Sequence, residues 1–309
     1  MKVLVVGASG FIGRNLLLGV PRSWDVYGTC RNPVDFSRFL SAYGLDHVRP
    51  LQLDLRDAAT VEKALASISR PDACVFLASD TAVRALVSDP RLDVTNNILT
   101  VANFLKSYRG GKVLFMSSGA VYMGLEGLVS PTARLRPTIP YAISKYASEL
   151  YVQFAAERGW AEGYVILRFF GAYGPFEPPR KITTKLVQSA LARAREFTIF
   201  GDGRNLIDVM HIDDAVAGLL EVLRSDRMNL TVDFCAGNAS DLNEFTERVA
   251  AIFGNQFTLN HDGESPEYIR FHASPHGMEE AFGFRPKIEL PTGMRRFATW
   301  IQKQSRISA

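Results

Sequence analysis

The sequence contains few cysteines, and their placement excludes several classes of protein. Only three of the 309 residues are cysteine. Cys30, Cys74 and Cys235 lie far apart in apolar stretches and lack the spacing of metal ligands. We therefore expect reduced, buried cysteines, no metal site and a cytoplasmic location.

Long runs of one charge and long apolar runs are also missing. The formal net charge is only +3, and no run of five Lys or Arg indicates a nucleic-acid-binding patch. No apolar run reaches membrane-spanning length, and Met1 leads into a short apolar run rather than a signal peptide. With 47% apolar and 22% charged residues, the sequence predicts a soluble globular protein that binds neither nucleic acid nor membrane.

A glycine-rich turn follows the first apolar run. Residues 2–6 are predicted to form a buried strand, and residues 14–20 continue with helical spacing. In such a strand–turn–helix unit, glycines permit a tight turn, close approach of a pyrophosphate and packing of helix on strand. The helix N-terminus then offers free N–H groups and a positive dipole to phosphates. The predicted cofactor-binding residues in this segment are Gly7, Ser9, Gly10, Phe11, Ile12 and Gly13.

The end of the second predicted strand, residues 24–30, bears on the choice of cofactor. An acidic residue at this position suits the free 2′-hydroxyl of NAD(H), whereas an arginine suits the 2′-phosphate of NADP(H). Cys30 and Arg31 occupy the position here. The sequence therefore predicts a preference for NADP(H), with NAD(H) possible.

Strand and helix signals alternate through the first half of the chain. The predicted strands are 48–53, 73–78, 112–117 and 164–169, and the predicted helices are 60–68, 92–108 and 141–158. This alternation predicts an α/β fold with a Rossmann-type, doubly wound parallel sheet.

Beyond Gly171 the elements become shorter and more interrupted. The predicted elements there are helices 182–195, 214–223 and 291–303 and strands 197–200 and 231–235. We expect a dinucleotide-binding domain of residues 1–170 plus about 208–236. A smaller discontinuous C-terminal α/β substrate-binding domain would take about 171–207 plus 237–309.

Tyr141 and Lys145 form a candidate catalytic pair. At this spacing on a helix they share one face, and a lysine ammonium near a phenol favours the phenolate. Ser118 lies at the carboxyl end of a predicted strand, the edge where open α/β sheets bind ligands. With a nicotinamide cofactor, Ser118 would hydrogen-bond the substrate oxygen, Tyr141 would exchange its proton, and Lys145 would lower the tyrosine pKa.

Taken together, these motifs resemble the extended short-chain dehydrogenase/reductases, the nucleotide-sugar epimerase/dehydratase family. The resemblance covers nearly the whole chain. It rests on Gly7-x-x-Gly10-x-x-Gly13, Asp54-Leu55, Leu77-Ala78, Asn97, Ser117-Ser118-x-x-Val-Tyr122, Tyr141-x-x-x-Lys145, Leu167-Arg168-Phe-Phe-x-x-Tyr-Gly-Pro175 and Gly201-Asp-Gly203 through His211-Ile-Asp213.

The resemblance implies roles for further residues. Ser118, Tyr141 and Lys145 would be catalytic. The cofactor would also contact Asp54, Leu55, Leu77, Ala78, Ser117, Tyr141 and Lys145, and the substrate would contact Ser118, Gly119, Ala120, Arg168 and Gly171. In this family the helices near 92–108 and 141–158 often pair with a second subunit, so we expect a homodimer. Asn97 and His211 are interpreted as structural, and Asp213 and Asp214 as the start of a helix.

Three departures from the family pattern bear on the reaction and the substrate. Gly119 and Ala120 stand where 4,6-dehydratases carry an Asp-Glu pair, and decarboxylating members use a glutamate at the position of Ala120. Both activities are therefore disfavoured. Ile207 replaces an arginine that holds the substrate diphosphate in many members, and Arg204, Arg168, Arg180 or Lys181 would have to compensate. Gly171 replaces the usual asparagine.

The predicted function is an NAD(P)-dependent epimerase or 4-ketoreductase acting on a nucleoside-diphosphate sugar. Two alternatives remain open. One is an NADPH-dependent reductase of a non-nucleotide ketone or aldehyde, and the other is a non-catalytic NADP(H)-binding regulatory protein.

Overall fold

The strands of the protein were located in a computed structural model that describes residues 1–265 and 268–307. In chain order they are β1 (Lys2–Val6), β2 (Asp25–Cys30), β3 (Val48–Gln52), β4 (Ala73–Phe76), β5 (Lys112–Ser118), β6 (Glu126–Leu128), β7 (Tyr164–Phe169), β8 (Ala172–Tyr173), β9 (Glu196–Phe200), β10 (Leu206–Ile207), β11 (Met210–His211), β12 (Leu230–Phe234), β13 (Ser240–Asp241), β14 (Thr258–Asp262) and β15 (Arg270–His272).

Helices connect these strands. They are α1 (Phe11–Gly19), α2 (Pro33–Ala42), α3 (Ala58–Ala66), α4 (Val83–Ser88), α5 (Pro90–Asp93), α6 (Thr100–Ser107), α7 (Pro140–Glu157), α8 (Ile182–Leu191), α9 (Ile212–Arg224), α10 (Leu242–Ile252), α11 (His276–Phe282) and α12 (Leu290–Ile307). A π-helical segment, Val94–Leu99, joins α5 to α6, and a 3₁₀ turn, Gly119–Tyr122, follows β5.

A seven-stranded sheet lies at the centre of the fold, in the order β3-β2-β1-β4-β5-β7-β12. All neighbouring strands in it are parallel. The order reverses between β1 and β4, so the carboxyl ends of these two strands flank the crevice where such sheets bind dinucleotides. The predicted Rossmann-type doubly wound sheet is confirmed.

Both faces of the sheet are covered by helices, because the side chains of β1 point alternately into two different buried cores. Val3 and Val5 face one buried core, which also contains residues of α1, α2 and α9. Leu4 and Val6 face the other, with residues of α3, α6 and α7. Burial on both faces explains why this strand is a continuous apolar run rather than an alternating one.

A separate core lies in the second half of the chain. It packs apolar residues of α8, α10 and α12 around Phe197 and Ile199 of β9. These residues come from segments on both sides of α9 and β12, which belong to the central sheet layers. The division into two domains remains a proposal that this second core supports.

The predicted elements and the structure differ in several details. The helix predicted over 92–108 contains the π-helical segment, and the strand predicted over 73–78 ends at Phe76, which leaves Leu77 and Ala78 in the following loop. Helix α2 was not predicted, although Asn32 caps its N-terminus and Pro33 occupies its first turn.

Candidate functional site

The glycine turn places backbone N–H groups at the crevice between β1 and β4. Gly7 has a φ of 86°, and a Cβ on it would lie 2.8 Å from the main-chain nitrogen of Ala78. A Cβ on Gly13 would lie 2.4 Å from the main-chain oxygen of Gly7. Glycine is therefore required at both positions. The first-turn N–H groups of α1 have no intrahelical partner, so this cradle fits the pyrophosphate of a dinucleotide.

The loop after β4 is fastened to the π-helical segment by Asn97. Its amide nitrogen donates to the main-chain oxygen of Asp80 (3.0 Å) and to Asp93 Oδ1 (2.8 Å). Its amide oxygen accepts from the Asp80 N–H (2.8 Å) and from Ser79 Oγ (3.0 Å). All hydrogen-bonding positions of the amide are used, so Asn97 holds the loop that carries Leu77 and Ala78 beside the glycine turn.

Ser118, Tyr141 and Lys145 lie at the carboxyl end of β5 and the start of α7. Ser118 is half-buried, and its Oγ accepts a hydrogen bond from the Ala120 N–H at 3.1 Å. Lys145 is buried, and its Nζ donates to the main-chain oxygen of Met116 at 2.9 Å. The same nitrogen lies 6.0 Å from the ring centroid of Tyr141.

Burial lowers the pKa of Lys145 to about 8, although the nearby carboxylates of Glu149 and Asp93 act to raise it. A group with this pKa changes its charge close to neutral pH. Lys145 is therefore suited to control the ionisation of a neighbouring phenol.

A buried polar network runs beneath these three residues. Ser117 Oγ donates to Glu149 Oε1 at 2.5 Å, and Arg168 Nη2 donates to Glu149 Oε2 at 2.8 Å. Arg168 Nη1 also donates to the Tyr122 hydroxyl oxygen at 3.0 Å, and that hydroxyl donates to Asp233 Oδ1 at 2.7 Å. The sequence motifs contain Ser117, Tyr122 and Arg168, but Glu149, Asp233 and the network itself were not predicted from them.

Arg168 was predicted to contact the substrate, but its guanidinium is held by other residues of the protein. Its side chain is 6% exposed and forms an ion pair with Glu149, whose side chain is 1% exposed. The remaining guanidinium nitrogen is engaged by Tyr122 and by the main-chain oxygen of Pro131. All three guanidinium nitrogens are engaged within the protein, so we interpret Arg168 as a structural residue rather than a substrate contact.

The positions that depart from the family pattern are closely packed. A Cβ on Gly119 would lie 3.2 Å from ring atoms of Phe170. Gly171 has a φ of 144°, and its Cβ would lie 3.0 Å from Val209 Cγ1. Neither position accepts a larger side chain without movement of its neighbours. Ile207 packs against the second core and presents no charge.

Two arginine contacts join the loop and helix after β4 to the second half of the chain. Arg180 Nη2 donates to Thr81 Oγ1 at 3.2 Å, and the Arg84 guanidinium lies 3.4 Å from the ring centroid of Phe200. Arg180 and Arg84 are exposed cations at this edge of the sheet. Arg204 is also exposed, and its main-chain oxygen accepts from Arg270 Nη1 at 2.9 Å.

The residues predicted to meet the adenosine lie at the ends of β2 and β3. Arg31 is exposed, and Gln52 Nε2 donates to its main-chain oxygen at 3.4 Å. The Asp54 carboxylate binds the Arg56 guanidinium, which lowers the pKa of Asp54 to about 2. Asp54 and the half-buried Leu55 remain candidate adenine contacts.

Several interpretations of single residues agree with the structure. The three cysteines are buried and unpaired. His211 is buried and caps α9, whose first turn contains Asp213 and Asp214.

Within the described ranges no cluster of three or more His, Cys, Asp or Glu side chains could hold a metal ion. None of the helices in that part of the chain combines the length and apolar character that a membrane crossing requires.

Comparison with known proteins gives one family match. The model of the NAD dependent epimerase/dehydratase family matches residues 3–233, a segment that begins in β1 and ends in β12. It therefore includes the glycine turn, Ser118, Tyr141 and Lys145.

Individual relatives align over nearly the whole chain. A putative UDP-glucose 4-epimerase of Methanocaldococcus jannaschii is 25% identical over 320 residues, which cover 98% of this chain and 99% of the relative. A dTDP-glucose 4,6-dehydratase of Mycolicibacterium smegmatis is 26% identical over 318 residues, which cover 97% and 93%.

Solved structures share the fold. The UDP-glucuronic acid 4-epimerase of Bacillus cereus, in complex with UDP-glucuronic acid and NAD, superposes with a TM-score of 0.87 at 24% identity. The match covers 98% of this chain and all of the other.

Proposed function

We propose that this chain, which belongs to the NAD dependent epimerase/dehydratase family, is an epimerase or 4-ketoreductase of a nucleoside-diphosphate sugar. The observation that carries this proposal is the buried Lys145, one turn beyond Tyr141 and beside the strand end that bears Ser118. Relatives named as sugar-nucleotide enzymes support the substrate class.

The three residues divide the work at the substrate oxygen. A bound nicotinamide cofactor supplies hydride transfer. Tyr141 takes the proton of a substrate hydroxyl, or returns one to a ketone, and Ser118 hydrogen-bonds the same oxygen. Lys145, when protonated, stabilises the Tyr141 phenolate through its charge.

Water elimination is disfavoured by the residues after Ser118. Gly119 and Ala120 carry no carboxylate, and the Phe170 ring fills the space next to Gly119. A 4,6-dehydratase is among the relatives, so this exclusion concerns the chemistry of these two positions and not the family. We infer that the reaction stops at oxidation and reduction of the sugar, or proceeds to epimerisation through its keto form.

NADP(H) is the cofactor we propose, although the Bacillus cereus neighbour binds NAD. Arg31 is exposed at the end of β2, where a 2′-phosphate would lie, and Cys30 beside it is buried and neutral at physiological pH because burial raises its pKa. An arginine at this position binds a phosphate and leaves a free ribose hydroxyl without an acidic acceptor.

We also propose a homodimer. Helix α7 leaves large apolar side chains exposed, namely Ile143, Leu150, Tyr151 and Phe154. Helix α5 and the π-helical segment after it leave Leu92, Val94 and Leu99 exposed. Exposed apolar side chains on neighbouring helical segments are typical of a subunit interface.

A second candidate is favoured by one observation. Because Ile207 provides no charge, a ketone or aldehyde without a diphosphate would fit an NADPH-dependent reductase at this site. If a nucleotide sugar is bound, Arg180, Arg84 and Arg204 are the exposed cations that could neutralise its diphosphate. A third alternative is that the protein catalyses no reaction and binds NADP(H) as a regulatory protein.

A ligand screen followed by a turnover assay separates these functions. Thermal unfolding of the purified protein would be measured with NAD⁺ or NADP⁺ and with UDP-, GDP-, CDP- and dTDP-sugars, since a ligand that binds the folded state raises the unfolding temperature. Conversion of a stabilising sugar nucleotide without added NADPH identifies an epimerase, and conversion only with NADPH identifies a reductase. No stabilisation by any nucleotide sugar, together with reduction of simple ketones, would contradict the preferred function.

A further inference from the structure

Two consecutive residues of β5 bind successive turns of α7. Lys145 Nζ donates to the main-chain oxygen of Met116, and Ser117 Oγ donates to Glu149 Oε1. Lys145 and Glu149 lie on one face of the helix because they are one turn apart. The next residue of the strand is Ser118. These contacts therefore fix the register of Ser118 relative to the helix that carries Tyr141 and Lys145.

Glu149 is itself held from a third element. Arg168 of β7 donates to both of its carboxylate oxygens, from Nε at 3.1 Å and from Nη2 at 2.8 Å. Both side chains are almost fully buried. The bidentate contact with Arg168 fixes the orientation of the Glu149 carboxylate, so the hydroxyl of Ser117 can bind it in only one position.

Glu149 also belongs to the charged surroundings of Lys145. The charged and titratable groups next to that lysine are Glu149 and Tyr141 on its own helix and Asp93 at the end of α5. Arg168 on β7 binds Glu149. Asp93 is fixed by Ser144 Oγ at 3.0 Å and by Asn97. The two carboxylates offset part of the cost of burying an ammonium, and loss of either would favour neutral Lys145.

We propose that Glu149 is a positioning residue of the hydride-transfer site. Through Ser117 it sets the place of Ser118, and through its charge it keeps Lys145 protonated at working pH. The inference rests on the proposed roles of Ser118, Tyr141 and Lys145.

Two substitutions separate the two parts of this role. Ser117→Ala removes the contact between strand and helix, changes no charge and leaves the Glu149–Arg168 pair intact. Glu149→Gln removes the charge and keeps an oxygen that can accept from Ser117. Glu157→Gln, at the exposed end of the same helix, is the matched control.

The readouts are kcat as a function of pH and the ultraviolet titration of tyrosinate. Ser117→Ala should lower kcat by about tenfold without moving the pH profile, because misplacement of a reacting group costs rate. Glu149→Gln should move the alkaline limb of the profile down by about one pH unit, because removal of a nearby anion lowers the pKa of the ammonium. Glu157→Gln should match the wild type in both respects.

A folded Glu149→Gln variant with a wild-type pH profile would overturn the electrostatic part of the proposal. Unchanged kcat in Ser117→Ala would overturn the positional part, and this test remains if Glu149→Gln does not fold. If the wild type converts no substrate, the proposed function fails, but the positioning role is still tested. The tyrosinate titration of Tyr141, obtained as the difference from Tyr141→Phe, should then move to higher pH in Glu149→Gln, because a neutral Lys145 no longer stabilises the phenolate, and an unmoved titration would contradict the proposal.

Discussion

The ammonium nitrogen of Lys145 lies 6.0 Å from the ring centroid of Tyr141, one helical turn earlier on α7. Lys145 is buried, and burial lowers its pKa to about 8. The lysine therefore carries its charge at neutral pH and loses it in mildly alkaline solution. We therefore expect the activity and the stability of the protein to depend on pH in a defined direction.

We predict that Lys145→Met abolishes turnover and removes a pH-dependent part of the stability. The pKa of Lys145 is about 8 in the folded protein and 10.5 as its reference value. Between these values the unfolded chain binds the proton more tightly, so this group makes the free energy of unfolding rise with pH, by up to about 3 kcal/mol. Urea unfolding of both proteins at several pH values between 7 and 10.5 measures the difference. Parallel curves for wild type and variant would contradict the assignment.

Gly13→Ala should abolish cofactor binding. A Cβ at this position lies 2.4 Å from the Gly7 oxygen, so the turn and α1 must move apart, at a cost of about 1–3 kcal/mol. Gly277→Ala is the control, because a Cβ there contacts Val232 at 4.0 Å, an ordinary distance. Titration calorimetry with NADP⁺ and thermal unfolding of both variants test this. Equal cofactor affinity in Gly13→Ala and wild type would show that the pyrophosphate lies elsewhere.

Arg31→Ala should weaken NADPH binding by about tenfold or more and leave NADH binding nearly unchanged, because a charge-assisted hydrogen bond contributes about 1.5–3 kcal/mol. Arg38→Ala, at an exposed position on α2, controls for the loss of a surface charge. The dissociation constants of NADPH and NADH, measured for the wild type and both variants, test whether Arg31 binds the 2′-phosphate. An equal effect on NADPH and NADH would remove the argument for a bound 2′-phosphate.

A charge on the exposed face of α7 should prevent dimer formation. Leu150→Glu places a carboxylate among the exposed apolar side chains of this helix, where a subunit interface would bury it unpaired. Val34→Glu, also at an exposed apolar position, is the control and should remain a dimer. Light scattering after size exclusion gives the mass of each protein. A dimeric Leu150→Glu variant, or a monomeric wild type, would exclude this interface.

Local sequence patterns predicted the parts of the fold that depend on local physics. The apolar run of β1 and the glycines after it predicted a buried strand, a tight turn and a helix. The common face of Tyr141 and Lys145 follows from the geometry of one helix alone. Helix α2 could have been predicted from Asn32 and Pro33, a cap and a first-turn proline.

Contacts between distant segments could not be predicted in this way. The π-helical segment around Asn97 is held by Asp80 and Ser79, which precede it in another loop. Arg168 was assigned to the substrate because arginine suits phosphate, but its partner is Glu149 on α7. Spacing shows which residues share a face of one element, whereas the choice of partner depends on how elements pack.

The substitution Tyr141→Phe tests the central claim most directly. The variant keeps the ring and loses only the hydroxyl that would exchange the proton. With a nucleotide sugar that the wild type converts, we predict that turnover falls by at least about a hundredfold while the dissociation constant of the cofactor stays within about twofold of wild type, as measured by titration calorimetry. Undiminished turnover in Tyr141→Phe would contradict the account.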